Sequence, residues 1–267
     1  MGELAFVGLG LNDETSISLK GLEKAKKADV VFAELYTSLM PDLSIQRLER
    51  LIENPVHVVE RRDLEEDDGK TILEQAEKAR VVLLVPGDPL IATTHIDLRI
   101  RAHKKRIKTS VVHGASVISA VFGLSCLQNY RFGRSVTIPF PSNGSISETP
   151  YNVISENRKI GLHTLCFLDI KAEENQYMTI KDGLKSLFTL ERRKGQGIIT
   201  AKTLAVGIAR AGSEDPAVKA EFTKELLEYD FGAPPQSLVF PGKLHFMEAE
   251  ALIALAKAPE RIMRMTE

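Results

Sequence analysis

The stretch Val81-Val82-Leu83-Leu84-Val85-Pro86-Gly87-Asp88-Pro89 places five apolar residues directly before a stiff turn that carries one carboxylate. An apolar run of this length is typical of a buried strand. The segment that follows, from Thr94 to Lys105, has the three- and four-residue apolar spacing of an amphipathic helix. A strand, a turn and a helix in this order predict an α/β fold with a parallel sheet.

The same alternation runs through the whole first half of the chain. Apolar runs of strand length are separated there by segments with helical spacing, which predicts a mostly parallel sheet with right-handed crossovers and helices on both faces. The predicted strands are 4–7, 30–33, 56–59, 81–85 and 110–113, and the predicted helices are 16–28, 45–52, 70–79 and 94–105.

The second half of the chain is also α/β, but its pattern is less regular. A polar stretch from 139 to 150, rich in proline, predicts a long functional loop. We therefore expect an N-terminal lobe, 1–130, with a mostly parallel sheet, and a C-terminal lobe, 131–267, with a mixed sheet. The predicted strands here are 135–138, 163–170, 203–209 and 237–240, and the predicted helices are 180–190, 222–227 and 248–256.

Composition restricts the class of protein. The 267 residues are 43% hydrophobic, enough to fill the cores of two lobes. A net charge of −1 gives no general attraction to nucleic acid, so we expect no direct nucleic-acid partner. The chain has no apolar run long enough for a membrane span and no secretion signal at its start, and Cys126 and Cys166 both lie among apolar neighbours. These features predict buried, reduced thiols and a cytoplasmic location without a membrane partner.

Open α/β sheets bind ligands outside the carboxyl ends of their strands. The first such end is Gly8-Leu9-Gly10-Leu11, where glycine allows the backbone to approach a ligand closely. The dinucleotide fingerprint needs a third glycine at position 13, which is Asp13 here. Glu34, at the end of the second strand, suits the ribose of an NAD enzyme, so that alternative stays open at this point.

Two further strand ends carry chemistry. Asp88, in Pro86-Gly87-Asp88-Pro89, suits a ligand hydroxyl or amino group, or else caps the following helix. The loop His113-Gly114-Ala115-Ser116-Val117 is made mostly of small residues. These residues leave room for a flat ring beside backbone amides, or else let a helix pack tightly against a strand. Both interpretations of each loop stay open on these residues alone.

The three strand ends together resemble the tetrapyrrole-methylase fold class, and more narrowly its archaeal diphthine synthase family. The resemblance runs nearly end to end. It implies a two-lobed tetrapyrrole-methylase-like α/β fold, a homodimer, and S-adenosyl-L-methionine bound in a cleft between the lobes. The strings that carry the match are Phe32 to Ser38, Pro86 to His95, Gly161 to Thr164, Phe167 to Ala172, Ala209 to Ser213 and Pro241 to His245.

The resemblance also implies the donor contacts and the reaction. The donor would be S-adenosyl-L-methionine, with S-adenosyl-L-homocysteine as product. The acceptor would be the amine of 3-amino-3-carboxypropyl-histidine in translation elongation factor 2, methylated to diphthine in diphthamide biosynthesis. The residues that correspond to the family's donor contacts are Leu11, Asp88, Ile91, Ser116, Val117, Leu168, Ala211 and Gln236.

No catalytic residue is assigned by the sequence. A methyl group on a sulfonium is already activated, so alignment and desolvation suffice without a metal or a nucleophilic side chain. The amine must lose a proton between transfers, and a carboxylate, an imidazole or water can accept it. The candidates by position, each with an equally simple structural explanation, are Glu34, His95, His113, Asp169 and Glu173.

Two rival functions remain at this stage. One is a methylase of the same fold class that acts on a porphyrin-like small molecule. The other is a noncatalytic nucleotide-binding module that regulates a partner. No His and Cys spacing predicts a zinc site, and we expect no bound metal.

Overall fold

The computed structural model describes residues 2–142 and 144–266, so Met1, Glu267 and Asn143 of the predicted loop lie outside the description. Packing divides the chain into two units. The first unit extends to Val117 and also includes Ala172–Asn175. The second unit comprises Ile118–Lys171 and the chain from Gln176 onward.

The first unit alternates strands and helices along the chain. Its elements are β1 (Glu3–Gly8), α1 (Leu19–Lys26), β2 (Val30–Glu34), α2 (Ile45–Ile52), β3 (Val56–Val59), α3 (Arg61–Glu65), α4 (Lys70–Ala76), β4 (Arg80–Val85), α5 (Ile96–Lys104) and β5 (Lys108–Val112). The five strands form one sheet in the order β3-β2-β4-β1-β5, and every pairing is parallel. The predicted parallel sheet is confirmed.

Strand β1, which lies between β4 and β5, is buried on both faces, as a parallel sheet covered by helices requires. Leu4 and Phe6 belong to one apolar cluster, with residues of α4 and α5. Ala5 and Val7 belong to another, with residues of α1 and α2. Because successive side chains of a strand point to opposite faces, the two clusters are the two cores of a sheet covered on both sides.

The second unit has a mixed sheet. Its elements are α6 (Val117–Leu124, which begins at the last residue of the first unit), β6 (Val136–Ile138), α7 (Thr149–Lys159), β7 (Thr164–Leu168), β8 (Ile170–Lys171), β9 (Gln176–Tyr177), α8 (Ile180–Lys194), β10 (Leu204–Ala209), β11 (Ala217–Phe222), α9 (Thr223–Leu226), β12 (Gln236–Phe240) and α10 (Phe246–Ala256). The larger sheet has the order β11-β10-β12-β7-β6, in which only the pairing of β6 with β7 is parallel. The predicted mixed sheet is confirmed.

Helix α8 fills the core of the second unit with Leu184, Leu187 and Leu190, which pack in one cluster with residues of β7, β10 and β12. Thr179 and Asp182 form a capping box at the start of the helix, and Gly195, in the left-handed conformation, ends it. The sequence prediction ended this helix at 190, one turn too early.

The division between the units differs from the expected boundary at residue 130. The ring of Phe122 in α6 stacks on Phe132 at 3.9 Å between centroids, and Phe132 contacts His163 edge to face at 5.3 Å. These aromatic contacts join α6 to the segment that follows it, so the units divide at Val117 rather than at 130.

Part of the second half departs from the predicted elements. Helix α7 begins at Thr149, inside the stretch predicted as a loop, because a proline is tolerated in the first turn of a helix and Pro150 occupies that turn. Strand β11 was not predicted. Cys166 is buried, as expected, but Cys126 is only half-buried; both are free thiols. No helix within the described residues is long and apolar enough to span a membrane.

A buried carboxylate joins three separate segments of the second unit. Glu248 in α10, only 1% exposed, accepts hydrogen bonds from the backbone of Gln128 (2.9 Å) and His245 (2.8 Å). His163 Nε2 lies 3.1 Å from Glu248 Oε1, and Arg131 Nη1 lies 3.3 Å from Oε2. Burial alone would raise the pKa of Glu248, but the His163 and backbone hydrogen bonds outweigh it and lower that pKa to about 2.

We expect Glu248→Ala to lower the free energy of unfolding by about 3 kcal/mol, because buried donors lose their acceptor. The pKa of Glu248 is lowered from 4.5 to about 2, so its stabilisation is complete above pH 4.5 and is lost as the pH falls toward 2. Urea unfolding measured across this pH range tests both statements. Glu250→Ala, an exposed change on the same helix, should alter stability by less than about 0.5 kcal/mol. Equal losses for the two variants would contradict the network.

Candidate functional site

The carboxyl ends of β1, β4 and β5 meet through glycine backbones, without side chains between them. A Cβ atom on Gly8 would lie 2.5 Å from the Gly87 carbonyl oxygen and 2.6 Å from the Gly114 nitrogen. A Cβ atom on Gly114 would lie 2.4 Å from the same carbonyl oxygen. We call Gly8, Gly10, Gly87 and Gly114 the glycine junction. Close packing against the backbones of the neighbouring strand ends, rather than of a helix against a strand, therefore accounts for Gly114.

Two backbone hydrogen bonds hold the glycine junction together. The Gly87 amide donates to the Gly10 carbonyl (2.7 Å), and the Gly10 amide donates to the Gly87 carbonyl (3.2 Å). Gly10 and Gly87 have φ values of 77° and 70°, in the left-handed region that side chains disfavour. The junction thus brings the loops after β1 and β4 together and leaves bare backbone at the edge of the sheet.

Asp88 follows the junction and is only 6% exposed. Its Oδ1 accepts a hydrogen bond from the Leu90 amide (3.0 Å), which stabilises the turn. Its Oδ2 lies 2.7 Å from His113 Nδ1, and that imidazole is 75% exposed. Asp88 therefore performs the turn-forming role and also pairs its second oxygen with an exposed ring at the carboxyl edge of the sheet.

The other predicted donor residues of the first unit follow the same three strand ends. Leu11 is half-buried and its carbonyl accepts a hydrogen bond from the Ser16 hydroxyl. Ile91 is 43% exposed, unusual for a large apolar side chain in a loop that follows a buried strand. Ser116 and Val117 are half-buried at the start of α6. The fold thus brings these residues and Asp88 to the ligand-binding edge of one sheet.

The predicted donor residues of the second unit lie at one edge of the mixed sheet. Ala209 in β10 is in register with Gln236 in β12, and Ser237 is in register with Phe167 in β7. Leu168 is therefore opposite Gln236, and Ala211 lies in the turn after β10. The three predicted residues Leu168, Ala211 and Gln236 are close together at the ends of adjacent strands.

Gln236 is held by the fold itself. Its Oε1 accepts a hydrogen bond from the Ile180 amide (2.8 Å), and its Nε2 donates to the Gly232 carbonyl (2.8 Å). The side chain is 8% exposed and links the start of α8 to the loop before β12. Both polar groups of the Gln236 side chain are thus hydrogen-bonded within the fold.

Sequence reasoning missed the structural role of Arg210. Its Nη1 donates to the carbonyls of Phe231 and Ala233, both at 2.8 Å, and its own amide donates to the Pro235 carbonyl at 2.8 Å. Arg210 therefore fixes the turn that holds Ala211 to the loop before β12. The available signal was an arginine directly after the wholly apolar strand β10.

The candidate proton acceptors fall into different surroundings. Asp169 accepts hydrogen bonds from the amides of Phe140 (2.9 Å) and Ile170 (3.0 Å), so it is occupied in a turn. The Glu173 side chain is 58% exposed and lies 3.6 Å from Arg61. Glu34 and His95, by contrast, are both nearly completely buried, with Glu34 Oε1 and His95 Nε2 3.5 Å apart.

The pair of Glu34 and His95 is electrostatically unusual. Burial raises the pKa of Glu34 to about 7 and lowers the pKa of His95 to about 4. Both ring nitrogens of His95 and the hydroxyl of Tyr36 are buried without a hydrogen-bond partner among the described residues. Each such group costs about 1–3 kcal/mol when its hydrogen bond is not made.

The structure contradicts the NAD alternative. Glu34 Oε2 accepts the amides of Tyr36 and Thr37 (3.2 Å each) and Oε1 accepts the Thr37 hydroxyl (2.6 Å), so the carboxylate does not have both oxygens free for the two hydroxyls of a ribose. Asp13, at the place of the third glycine, caps a short 3-10 turn by accepting from the Thr15 amide. Within the part of the chain that the structure describes, no group of three or more His, Cys, Asp or Glu residues could hold a metal ion.

Comparison with known proteins assigns the family. The family model described as Tetrapyrrole (Corrin/Porphyrin) Methylases matches residues 3–226. The diphthine synthase of Methanosarcina acetivorans is 49% identical over 99% of this chain and 100% of the relative, and that of Methanocella arvoryzae is 50% identical over 95% and 98%. A crystal structure of diphthine synthase matches with a TM-score of 0.89 at 43% identity, over 98% of this chain and 99% of that one. The chain belongs to the diphthine synthase family.

Membership of the diphthine synthase family confirms the resemblance drawn from the strand-end motifs. The family is one of methylases, so the chain is a methyltransferase. The α/β architecture with a parallel first sheet and a mixed second sheet also agrees with the matched diphthine synthase structure. The glycine junction is thus the strand-end region of a methyltransferase.

We expect Gly114→Ala to lower the free energy of unfolding by about 2 kcal/mol or more, because its Cβ would meet the Gly87 carbonyl oxygen at 2.4 Å. The matched control is Gly123→Ala, whose Cβ meets nothing within 4 Å in the exposed part of α6. That change should stabilise the helix by up to about 1 kcal/mol. Chemical denaturation of both variants measures the difference, and similar stabilities would show that the junction tolerates a side chain.

Proposed function

We propose that this chain transfers methyl groups from S-adenosyl-L-methionine to the amine of 3-amino-3-carboxypropyl-histidine in translation elongation factor 2. The product is diphthine, an intermediate of diphthamide biosynthesis. The observation that carries the proposal is the match to curated diphthine synthases over nearly the full length of both chains, at 49% and 50% identity. We further propose that the enzyme is a cytoplasmic homodimer that acts without a metal, a membrane or direct nucleic-acid binding.

The glycine junction fits the donor. At Gly87 the backbone is open, because a Cβ atom there would meet nothing nearer than the Ala115 carbonyl oxygen at 3.9 Å, so a ligand can approach this strand end without meeting side chains. The bound donor supplies an electrophilic methyl group on a sulfonium and leaves as a neutral thioether. The buried Asp88 carboxylate suits the amino or hydroxyl groups of such a molecule.

The proposed donor contacts divide by chemistry. Asp88 would accept hydrogen bonds, and Leu11, Ile91, Val117, Leu168 and Ala211 would exclude water from the adenine and the thioether. Ser116 and Gln236 would act through backbone groups, since both polar atoms of the Gln236 side chain are already hydrogen-bonded. These eight residues are thus the proposed donor contacts.

Methyl transfer depends more on the alignment of the reactants and the exclusion of water than on a strong nucleophile. A neutral amine displaces a neutral thioether, so holding the two reactants in line and excluding water lowers the barrier. The apolar donor contacts supply this exclusion. Because the amine carries a proton after each of the first two transfers, a group near the acceptor must take it up.

We expect Asp88→Asn to weaken the binding of S-adenosyl-L-methionine about 10- to 100-fold, because a charge-assisted hydrogen bond becomes a neutral one. Isothermal titration calorimetry on the purified enzyme measures the change. Asp97→Asn, at a carboxylate 59% exposed on α5, serves as the control and should bind the donor as the wild type does. Unchanged affinity in Asp88→Asn would remove Asp88 from the donor site.

Mass spectrometry tests the acceptor. Elongation factor 2 that carries 3-amino-3-carboxypropyl-histidine is incubated with the enzyme and S-adenosyl-L-methionine, and the modified peptide is weighed. We expect the mass of the trimethylated amine and no change in elongation factor that lacks the 3-amino-3-carboxypropyl group. Methylation of a porphyrin-like molecule alone would support the small-molecule rival, and donor binding without any methyl transfer would support the noncatalytic module.

A further inference from the structure

Glu34 and His95 lie at the carboxyl edge of the parallel sheet. Glu34 is the last residue of β2, and β2 pairs with β4, which ends at Val85 directly before the turn that holds Gly87. His95 directly precedes α5, in the segment that leaves the same turn. An open parallel sheet binds its ligands at this edge. The pair therefore belongs to the ligand-binding edge of the first unit.

The Glu34 carboxyl group is fixed in position. Oε2 accepts the amides of Tyr36 and Thr37, and Oε1 accepts the Thr37 hydroxyl at 2.6 Å. Oε1 also lies 3.5 Å from His95 Nε2, at the outer limit of hydrogen-bond distance. The turn after β2 thus holds this oxygen toward the imidazole without a hydrogen bond between the two.

The neighbours of Glu34 have polar atoms that the described residues leave unused. The Tyr36 hydroxyl and both ring nitrogens of His95 are buried without a partner, and the two side chains are only 5% and 2% exposed. Apolar side chains of similar size would avoid the cost of burying these atoms. A neutral imidazole and a phenol each offer one donor and one acceptor, which matches the hydrogen-bonding needs of an amine.

The charges that face Tyr36 favour a cation. Glu34, Glu65 and Glu173 all act on it electrostatically, against the single guanidinium of Arg61 among its charged neighbours in the described chain. Arg61 lies over the Tyr36 ring at 4.9 Å and is shared between Glu65 (3.4 Å) and Glu173 (3.6 Å). Carboxylates therefore outnumber cations around the phenol, as the binding of a protonated amine requires.

We propose that Glu34, Tyr36 and His95 form the amine end of the acceptor site, and that Glu34 takes up the proton which the acceptor amine loses before each methyl transfer. The inference rests on the proposed function and deepens it. The Tyr36 hydroxyl and the acceptor nitrogen of His95 receive the N–H groups of the amine. Glu34 Oε1, which lies 3.5 Å from His95 Nε2, receives the N–H whose proton is lost and serves as the base.

The proton transfer is balanced at each step. An N–H bond of the ammonium breaks, and its electron pair stays on nitrogen as the lone pair that attacks the next methyl group. The proton forms an O–H bond with the Glu34 carboxylate and then leaves to solvent, which restores the base. After the last transfer the nitrogen has no proton left, so the base acts on the unmethylated, mono- and dimethylated amines but not on the trimethylated product.

The protonation states agree with this role. Burial raises the pKa of Glu34 to about 7, so the carboxylate form grows as the pH rises through neutrality. Burial lowers the pKa of His95 to about 4, so its ring is neutral there and keeps an acceptor nitrogen for the amine. A base with a pKa near the working pH is the most effective proton acceptor.

Glu34→Gln tests the base. We expect single-turnover methyl transfer to the monomethylated elongation factor to slow at least about 100-fold, with loss of the rise in rate near pH 7. Donor affinity by calorimetry should change less than about threefold. Glu49→Gln is the matched control, since Glu49 also accepts a backbone amide, that of Val56 at 2.9 Å, but lies away from the carboxyl edge. It should leave rate and pH profile unchanged.

Tyr36→Phe separates function from folding, because it deletes an oxygen without a hydrogen bond in the described chain. Thermal unfolding should therefore show equal or higher stability, while KM for the modified elongation factor rises about tenfold. A purely structural tyrosine would leave KM unchanged. Carbon-13 NMR provides a readout that needs no turnover: a carboxyl resonance that titrates near pH 7 in the wild type and is missing in Glu34→Gln.

The outcomes distinguish this inference from the function on which it rests. Wild-type rates in both Glu34→Gln and Tyr36→Phe, with methylation intact, would overturn the assignment of the amine site alone. A Glu34 carboxyl that titrates at its ordinary pKa near 4.5 would overturn its role as the base. If the wild-type enzyme does not methylate the modified elongation factor, the proposed function fails first, and this inference fails with it.

Discussion

The first unit depends on direct contact between backbones at the ends of its three neighbouring strands β4, β1 and β5. Gly8 and Gly114 approach the Gly87 carbonyl so closely that a Cβ atom on either would overlap it. The contact is possible only because the three strands are parallel and in register, so that their carboxyl ends reach the same edge. The donor contacts proposed in the first unit, among them the buried Asp88, lie at the strand ends that this approach brings together.

Much of the fold could be predicted because its signals are local. Strands β1, β2 and β4 have unbroken apolar runs of four or more residues. Helix α2 matched its predicted bounds at 45–52 because its apolar spacing and its N-cap serine agree. Edge strand β11 was missed because only two of its six residues, Ala220 and Phe222, are buried. The spacing of apolar residues reflects which side chains are buried. A strand with few buried residues therefore has no clear apolar pattern in the sequence.

The site could be predicted only in part, for a different reason. The strand-end rule located Asp88 and Gly114 correctly, since it needs no knowledge of distant partners. It could not show that Gln236 is bound to Ile180, or that Arg210 is bound to Phe231, because those hydrogen bonds join residues 56 and 21 positions apart. The sequence offers Glu34 both as a ribose ligand and as a proton acceptor, and only its surroundings in three dimensions, a buried imidazole and a buried phenol, favour the second role.

Residues 172–175 tie the first unit to a distant part of the chain. They belong to that unit by packing, although both flanking segments belong to the second unit. A gene fragment that stops at Val117 therefore encodes the whole parallel sheet but lacks Glu173, the partner of Arg61. A single crossover after Val117 therefore separates these four residues from the unit with which they pack.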